Sequence, residues 1–200
     1  MQVHNEATLR DIVPDPPPRA WEKESDHLNA DAAAFVAVSP FAVLATADAD
    51  GRCDASPRGG PPGFAAIRDP RRIVIPDYTG NRRQDSHCNI LANPQVGLVF
   101  FVPGVLETLR INGRATLSAD PDLLASLTTG GQPPKLALDI AIDVAFVHCG
   151  KAPVRSHLWD PSTWPTDVNL ACARAHGTDE SPDEVQARWN DAYQDPAQVW

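Results

Sequence analysis

The segment with the clearest chemical signal is residues 73–86, in which a strand is followed by a turn and then by a helix. This helix is predicted to open with Arg82 and Arg83. Free amides and the positive dipole end at a helix N-terminus favour an anion, whereas two cations there are unfavourable unless an anion is bound. Guanidinium groups bind phosphate oxygens bidentately. The pattern therefore indicates a phosphate site, with two arginines exposed on a solvated turn as the alternative.

Three further segments carry cations that could complete such a site. Arg58 lies beside a Gly/Pro-rich loop, and Arg110 and Asn112 share one face of a predicted strand because strand side chains alternate. Lys151 and Arg155 follow a strongly apolar strand. The segment of Lys151 and Arg155 also brings a histidine and an aromatic residue, so it would suit a planar anionic ligand. An exposed barrel exterior explains the polar strand of Arg110 and Asn112 equally well.

The distribution of charge supports a compact anionic ligand. The chain has 200 residues and a net charge of −9, but residues 52–155 hold 12 Lys+Arg against 9 Asp+Glu, a net charge of +3. The rest holds 5 against 17, a net charge of −12. This balance disfavours non-specific nucleic-acid binding. Solvated strand edges are the alternative explanation for the central cations.

Several other classes of site are disfavoured by the motifs. Signatures of serine hydrolases, P-loop and Rossmann proteins and zinc proteases are missing. Cys53, Cys88, Cys149 and Cys172 form no Cys-x-x-Cys pair, and ordinary packing explains His87-Cys88 and His148-Cys149, so no metal is expected. With neither a signal peptide nor a long apolar run, the expected location is the cytoplasm.

The elements that would position these residues are mostly strands. Residues 1–25 are expected to form an extended arm because of Pro14 and residues 16–18, all proline. A domain over 26–160 and an acidic, partly helical extension over 161–200 follow, the latter with a capping box at 181–184. Helices are predicted over 27–38, 82–91, 121–127 and 182–194, and strands over 41–47, 52–56, 72–76, 96–102, 108–117 and 140–147. Many short strands with few helices favour a barrel or sandwich.

An ordered series of motifs over about residues 28–161 is similar to one known group of proteins. The motifs are Phe41-Ala-Val-Leu-Ala-Thr-Ala-Asp-Ala-Asp-Gly, Asp54-Ala-Ser-Pro-Arg-Gly, Gly80-Asn-Arg-Arg-x-Asp-Ser, Asn89-Ile-Leu-x-Asn-Pro, Leu109-Arg-Ile-Asn-Gly-Arg-Ala and His148-Cys-x-Lys-Ala-x-x-Arg-Ser-x-Leu-Trp. With these motifs in this order, the chain resembles the pyridoxamine 5′-phosphate oxidase-like FMN-binding split-barrel superfamily, and most closely its probable FMN-dependent bacterial branch.

This resemblance implies a six-stranded split β-barrel with flanking helices, paired into a homodimer that holds FMN between protomers. It places Arg58 near the flavin and phosphate, and Asn81, Arg82 and Arg83 in the phosphate turn. The implied partner-side and closing residues are Arg110, Asn112, Lys151, Arg155, Ser156 and Trp159.

The implied activity is that of an FMN-dependent oxidoreductase acting on a small organic substrate by hydride or electron transfer. No catalytic acid, base or nucleophile is identified. Arg155-Ser156-His157 fits the Arg-x-His pattern of the vitamin enzyme, but that enzyme's closing Arg-Leu-x-Pro is missing, so oxidation of pyridoxamine phosphate is not expected. The alternatives are a non-catalytic FMN-binding redox sensor or flavin reservoir, and a barrel that holds deazaflavin or haem.

Overall fold

Seven antiparallel strands form one sheet in the computed structural model, which describes residues 2–78, 80, 82–129, 132–164 and 180–194. The strands are β1 (Phe41–Ala47), β2 (Cys53–Gly59), β3 (Ala66–Asp69), β4 (Arg72–Asp77), β5 (Gln95–Phe101), β6 (Thr108–Ser118) and β7 (Leu136–His148). Their order is β2-β1-β5-β6-β7-β4-β3. The edge strands β2 and β3 are not paired with each other in the described part of the chain, so the sheet is not closed.

Seven α-helices accompany this sheet in the described part of the chain, and they are given below in chain order. They are α1 (Glu6–Ile12), α2 (Arg19–Glu22), α3 (Ala30–Val38), α4 (Asp85–Ala92), α5 (Pro121–Ser126), α6 (Lys151–Arg155) and α7 (Pro182–Gln194), with a 3₁₀ turn at Pro161–Thr163. The prediction of a mainly β fold with flanking helices is confirmed. The capping box before α7 is also confirmed, because the Ser181 amide donates to Glu184 Oε2 (2.7 Å) and the Glu184 amide donates to Ser181 Oγ (3.3 Å).

The hairpin of β1 and β2 forms at the turn that the sequence predicts. Asp48 Oδ1 accepts from the amides of Asp50 and Arg52, each at 2.9 Å. Gly51 has a φ of +80°, which glycine adopts without steric cost. The hairpin matters for function because it sets β2 at the edge of the sheet.

The core lies on the inner face of the sheet and follows the strand alternation. Leu44, Leu98, Ile111 and Ile140 are buried on four different strands, and Val36 of α3 packs into the same cluster. Buried side chains therefore alternate with more exposed ones along β1, β5 and β6.

Three expectations about the elements need correction. The sheet has seven strands where the resemblance implies six, because the four-residue β3 pairs with β4. The segment 1–25 is not wholly extended, since Asn5 Oδ1 accepts from the Thr8 amide (2.9 Å) and caps α1, and proline is tolerated where α2 begins. The prediction of a helix from residue 82 is also wrong at its start, because Gln84 has a φ of +59° and α4 begins at Asp85. The domain limits at 26 and 160 remain a prediction.

α4 carries part of the site and is held against the sheet by two kinds of contact. Asn89 Nδ2 donates to Thr46 Oγ1 of β1 at 3.0 Å, and Ile90 is buried in the core. This anchoring fixes Ser86 and His87, on the first turn of the helix, relative to the strands.

Glycine is required at the bulge between β6 and β7. A Cβ built on Gly113 would overlap the carbonyl oxygen of Ala141 and lie 3.0 Å from its carbonyl carbon. Gly113→Ala should lower the free energy of unfolding by about 1–3 kcal/mol or more, because backbone atoms must move. Gly80→Ala is the matched control, with no atom near its Cβ. Urea unfolding of both variants measures the difference, and equal stabilities would contradict the packing argument.

None of the helices that the structure describes combines the length and apolar character needed to cross a membrane.

Candidate functional site

A cavity of about 760 Å³ lies between β2, the end of β4 and the start of α4. It is lined by charged and hydroxyl side chains rather than by an apolar wall. The cations that line it are Arg58 of β2 and Arg82 and Arg83 of the β4–α4 connection. The cavity thus brings together three of the residues that the sequence predicts for a phosphate site.

β2 points three polar side chains toward the cavity because its residues alternate between faces. Asp54, Ser56 and Arg58 are half-buried, whereas the residues between them are exposed. Ser86 Oγ donates to Asp54 Oδ2 at 3.0 Å and lies 2.9 Å from Ser56 Oγ. These hydrogen bonds connect the edge strand β2 to α4 and fix the positions of these two cavity-lining elements relative to each other.

Arg58 is a cation of the cavity with unfilled hydrogen-bonding capacity. Its Nε is buried and has no hydrogen-bond partner among the described residues, and its Nη1 donates only weakly to the Pro57 carbonyl at 3.4 Å. Burial lowers the pKa of Arg58, while the carboxylates of Asp77 and Asp54 raise it. Because arginine stays charged in proteins, a half-buried guanidinium whose buried Nε has no acceptor favours an anion beside it.

The β4–α4 connection is held in an unusual backbone conformation. Arg82 has a φ of +62° and Gln84 a φ of +59°, and neither is glycine. Each such conformation costs about 1–3 kcal/mol, and such strain clusters at ligand-binding segments. Arg82 and Arg83 therefore precede the helix instead of occupying its first turn, and Arg83 Nε donates to Asp85 Oδ2 at 2.8 Å.

His87 and Asp77 also line the cavity, and sequence reasoning did not assign either to the site. His87 is only 5% exposed, and its Nε2 lies 3.4 Å from Asp77 Oδ1. Burial lowers the pKa of His87, Asp77 raises it, and Arg58 lowers it. The burial of His87 agrees with the sequence interpretation that ordinary packing explains this residue. That interpretation does not predict its position beside Arg58. The available signal was that Asp77 ends an apolar strand just before the two arginines.

Arg110 and Asn112 lie elsewhere, on the outward face of β6. Burial alternates along this strand, which confirms that these residues share the face with Arg114. The Arg110 guanidinium lies 5.2 Å from the centroid of the Phe146 ring, a cation–π distance. Neither predicted residue lines the cavity of its own chain.

The predicted closing residues are grouped around α6 and the turns after it, also outside the cavity. Lys151 and Arg155 begin and end α6, and Ser156 Oγ donates to the Pro153 carbonyl at 3.2 Å. Trp159 Nε1 donates to the Val105 carbonyl at 2.9 Å. Asn81 and Cys172 lie outside the described residues. One chain therefore brings Arg58, Arg82 and Arg83 together and leaves the other described candidates on separate surfaces.

Within the described ranges, no three His, Cys, Asp or Glu side chains are grouped as a metal-ligand set. The free cysteines there, Cys53, Cys88 and Cys149, are all exposed.

Comparison with known proteins identifies a matching family and several structures of similar architecture. The family model described as pyridoxamine 5′-phosphate oxidase matches residues 28–149. HupZ from Group A Streptococcus is 17% identical, with 60% of this chain and 93% of that chain covered and a TM-score of 0.49. A protein related to general stress protein 26 from Clostridium acetobutylicum is 15% identical, with 60% and 86% covered and a TM-score of 0.46. The protein Rv2991 from Mycobacterium tuberculosis is 16% identical, with 64% and 89% covered and a TM-score of 0.46. No curated protein matches the chain.

Proposed function

The chain belongs to the pyridoxamine 5′-phosphate oxidase family, and from this premise we propose that it is an FMN-dependent oxidoreductase acting on a small organic substrate. The terminal phosphate of FMN binds in the cavity formed by Arg58, Arg82 and Arg83. The observation that carries this proposal is the buried Arg58 Nε, which lacks a hydrogen-bond partner among the described residues in a cavity lined by two more arginines.

The donor set of the cavity fits a phosphate group. Guanidinium groups present paired N–H donors that match phosphate oxygens, and their contacts are strong where water is partly excluded. The volume of about 760 Å³ is within the range of about 300–1,000 Å³ of small-molecule sites. FMN, with its single terminal phosphate, therefore suits this turn better than haem does.

The chain's own residues bind and orient the cofactor rather than react with substrate. Arg58 holds the anion from β2, Arg82 and Arg83 hold it from the strained connection, and the Ser86–Asp54 hydrogen bond keeps these two sides at a fixed separation. Bound flavin supplies hydride or electron transfer. The cavity then affects catalysis mainly by fixing the position of the bound flavin.

We propose a homodimer in which the second group of candidate residues covers the flavin of the neighbouring protomer. Arg110 and Asn112 face outward from β6, and Lys151, Arg155, Ser156 and Trp159 lie around α6. None of them lines the cavity of its own chain. The outward face also exposes large apolar side chains, including Phe41 at 41%, which favours a protein partner on that surface.

An enzyme and a non-catalytic flavin binder differ in whether the bound flavin undergoes repeated reduction and reoxidation. With FMN bound, wild-type protein is expected to oxidise reduced nicotinamide continuously when a suitable electron acceptor from a screened set is present. Nicotinamide absorbance measures the turnover, with free FMN at equal concentration as the control. A protein that binds FMN tightly but shows no turnover above this control with any acceptor would contradict the enzyme and favour the redox sensor or reservoir.

A further inference from the structure

The imidazole of His87 is a buried group that the proposed phosphate contacts leave unused. His87 lines the same cavity as Arg58 and is only 5% exposed. Neither Nδ1 nor Nε2 has a hydrogen-bond partner among the described residues, and the nearest charge is Asp77 Oδ1, 3.4 Å from Nε2. Arg58 Nε is likewise buried without a partner, so β2 and α4, two elements that line the cavity, each carry a buried nitrogen whose hydrogen bond is unfilled.

We propose that His87, as an imidazolium, is a further anion-binding residue of this cavity and contacts the same phosphate as Arg58. The inference rests on the proposed function for the identity of the ligand as FMN, but its chemistry requires only a tetrahedral dianion. Buried polar atoms in native structures are nearly always satisfied. The two nitrogen atoms of one imidazole ring point in different directions and Nε2 faces Asp77, so one anion accounts for Arg58 Nε and a single ring nitrogen, Nδ1.

The charged groups around His87 define how it responds to an anion. Asp77 faces it from the end of β4, and Arg58 acts on it from β2 with Asp54 nearby. Asp85 lies on its own helix, and Arg82 and Arg83 precede that helix. β1 contains no titratable residue, and the arginines of β6 lie on the outward face of the sheet.

Binding of a dianion should therefore be accompanied by uptake of a proton. In the free cavity, burial lowers the pKa of His87 and Arg58 lowers it further, against the opposing effect of Asp77. A dianion beside the ring raises that pKa, because it favours the charged form. One proton then passes from solvent to the imidazole as the anion binds. The affinity for an anion of constant charge should consequently rise as the pH falls through the range between the free and bound pKa values.

Sulfate is the probe for this linkage because it stays a dianion where phosphate titrates near pH 6. Calorimetric titration of wild-type protein in two buffers of different ionisation heat, at about pH 7, measures the protons taken up. Uptake of a substantial fraction of one proton per site is expected. Zero uptake, or no sulfate binding, would overturn the assignment. Because no variant is used, this result does not depend on whether a His87 variant folds.

The variant His87→Gln tests whether His87 is the residue that takes up the proton. The substitution His4→Gln, at an exposed position, is its matched control. The FMN dissociation constant of His87→Gln should exceed that of wild type about tenfold near pH 6, and the ratio should fall toward one near pH 8.5. Comparing the proteins at each pH cancels the titration of the FMN phosphate itself. A ratio that is independent of pH, or an equal loss of riboflavin affinity, would refute the assignment.

The two proposals fail in different ways. Proton-linked sulfate binding without any FMN binding would remove FMN as the ligand and leave the His87 assignment intact. Tight FMN binding without proton uptake would support FMN as the ligand and remove the His87 assignment.

Discussion

Replacing Arg82 and Arg83 together with alanine is expected to weaken FMN binding by at least about 100-fold while leaving riboflavin binding nearly unchanged. A hydrogen bond to a charged group contributes about 1.5–3 kcal/mol, which is about 10- to 150-fold for each arginine. Only FMN carries the phosphate, so only FMN loses these contacts. Quenching of flavin fluorescence measures both affinities on the same preparation.

The double variant Arg19→Ala, Arg68→Ala is the matched control, because it removes the same charge from two exposed positions away from the cavity. It should bind both flavins as wild type does. Equal losses for FMN and riboflavin in the Arg82 and Arg83 variant would mean that the fold had changed. Unchanged FMN binding would place the phosphate elsewhere.

Arg155→Ala is expected to weaken FMN binding about tenfold or more, although Arg155 does not line the cavity of its own chain. The reason is that the proposed site takes Arg82 and Arg83 from one protomer and Arg155 from its partner. A mixed dimer of an Arg155→Ala chain and an Arg82→Ala, Arg83→Ala chain should recover one intact site of two. The second site should carry all three substitutions.

Differently tagged chains allow this mixed dimer to be purified, and sedimentation with flavin titration gives the number of tight sites per dimer. The two homodimeric variants are the controls and should have none. FMN should also raise the apparent stability of the dimer with ligand concentration, because it binds only the complete site. A monomer that binds FMN with full affinity, or a mixed dimer with no recovered site, would exclude the shared site.

Much of the fold could be predicted where a local pattern determines the structure. The turn at Asp48 and Gly51 and the capping box of Ser181 and Glu184 are set by short-range hydrogen bonds, so the sequence indicates them directly. β3 was missed because four residues give too little alternation to identify a strand. The prolines at 14 and 16–18 predict an extended segment there, whereas the N-cap residue Asn5 is the local signal for α1.

The candidate site could be predicted only in part for a related reason. Arg58, Arg82 and Arg83 were identified from residue type and motif order, and the structure groups them around one cavity. The left-handed conformation of Gln84 has no such sequence signal, so the start of α4 was placed too early. The position of His87 beside Arg58 depends on how α4 packs against β2, and tertiary packing of this kind cannot be inferred from periodicity alone.

The proposed binding of FMN phosphate by the cavity is tested most directly by titrating ligand-free wild-type protein with FMN and with riboflavin under identical conditions. We expect one FMN per chain with micromolar or tighter affinity, and riboflavin at least about 100-fold weaker, since it lacks the group that we propose three arginines bind. Equal affinity for the two flavins, or no uptake of FMN by a protein that instead binds haem or a deazaflavin, would contradict the assignment.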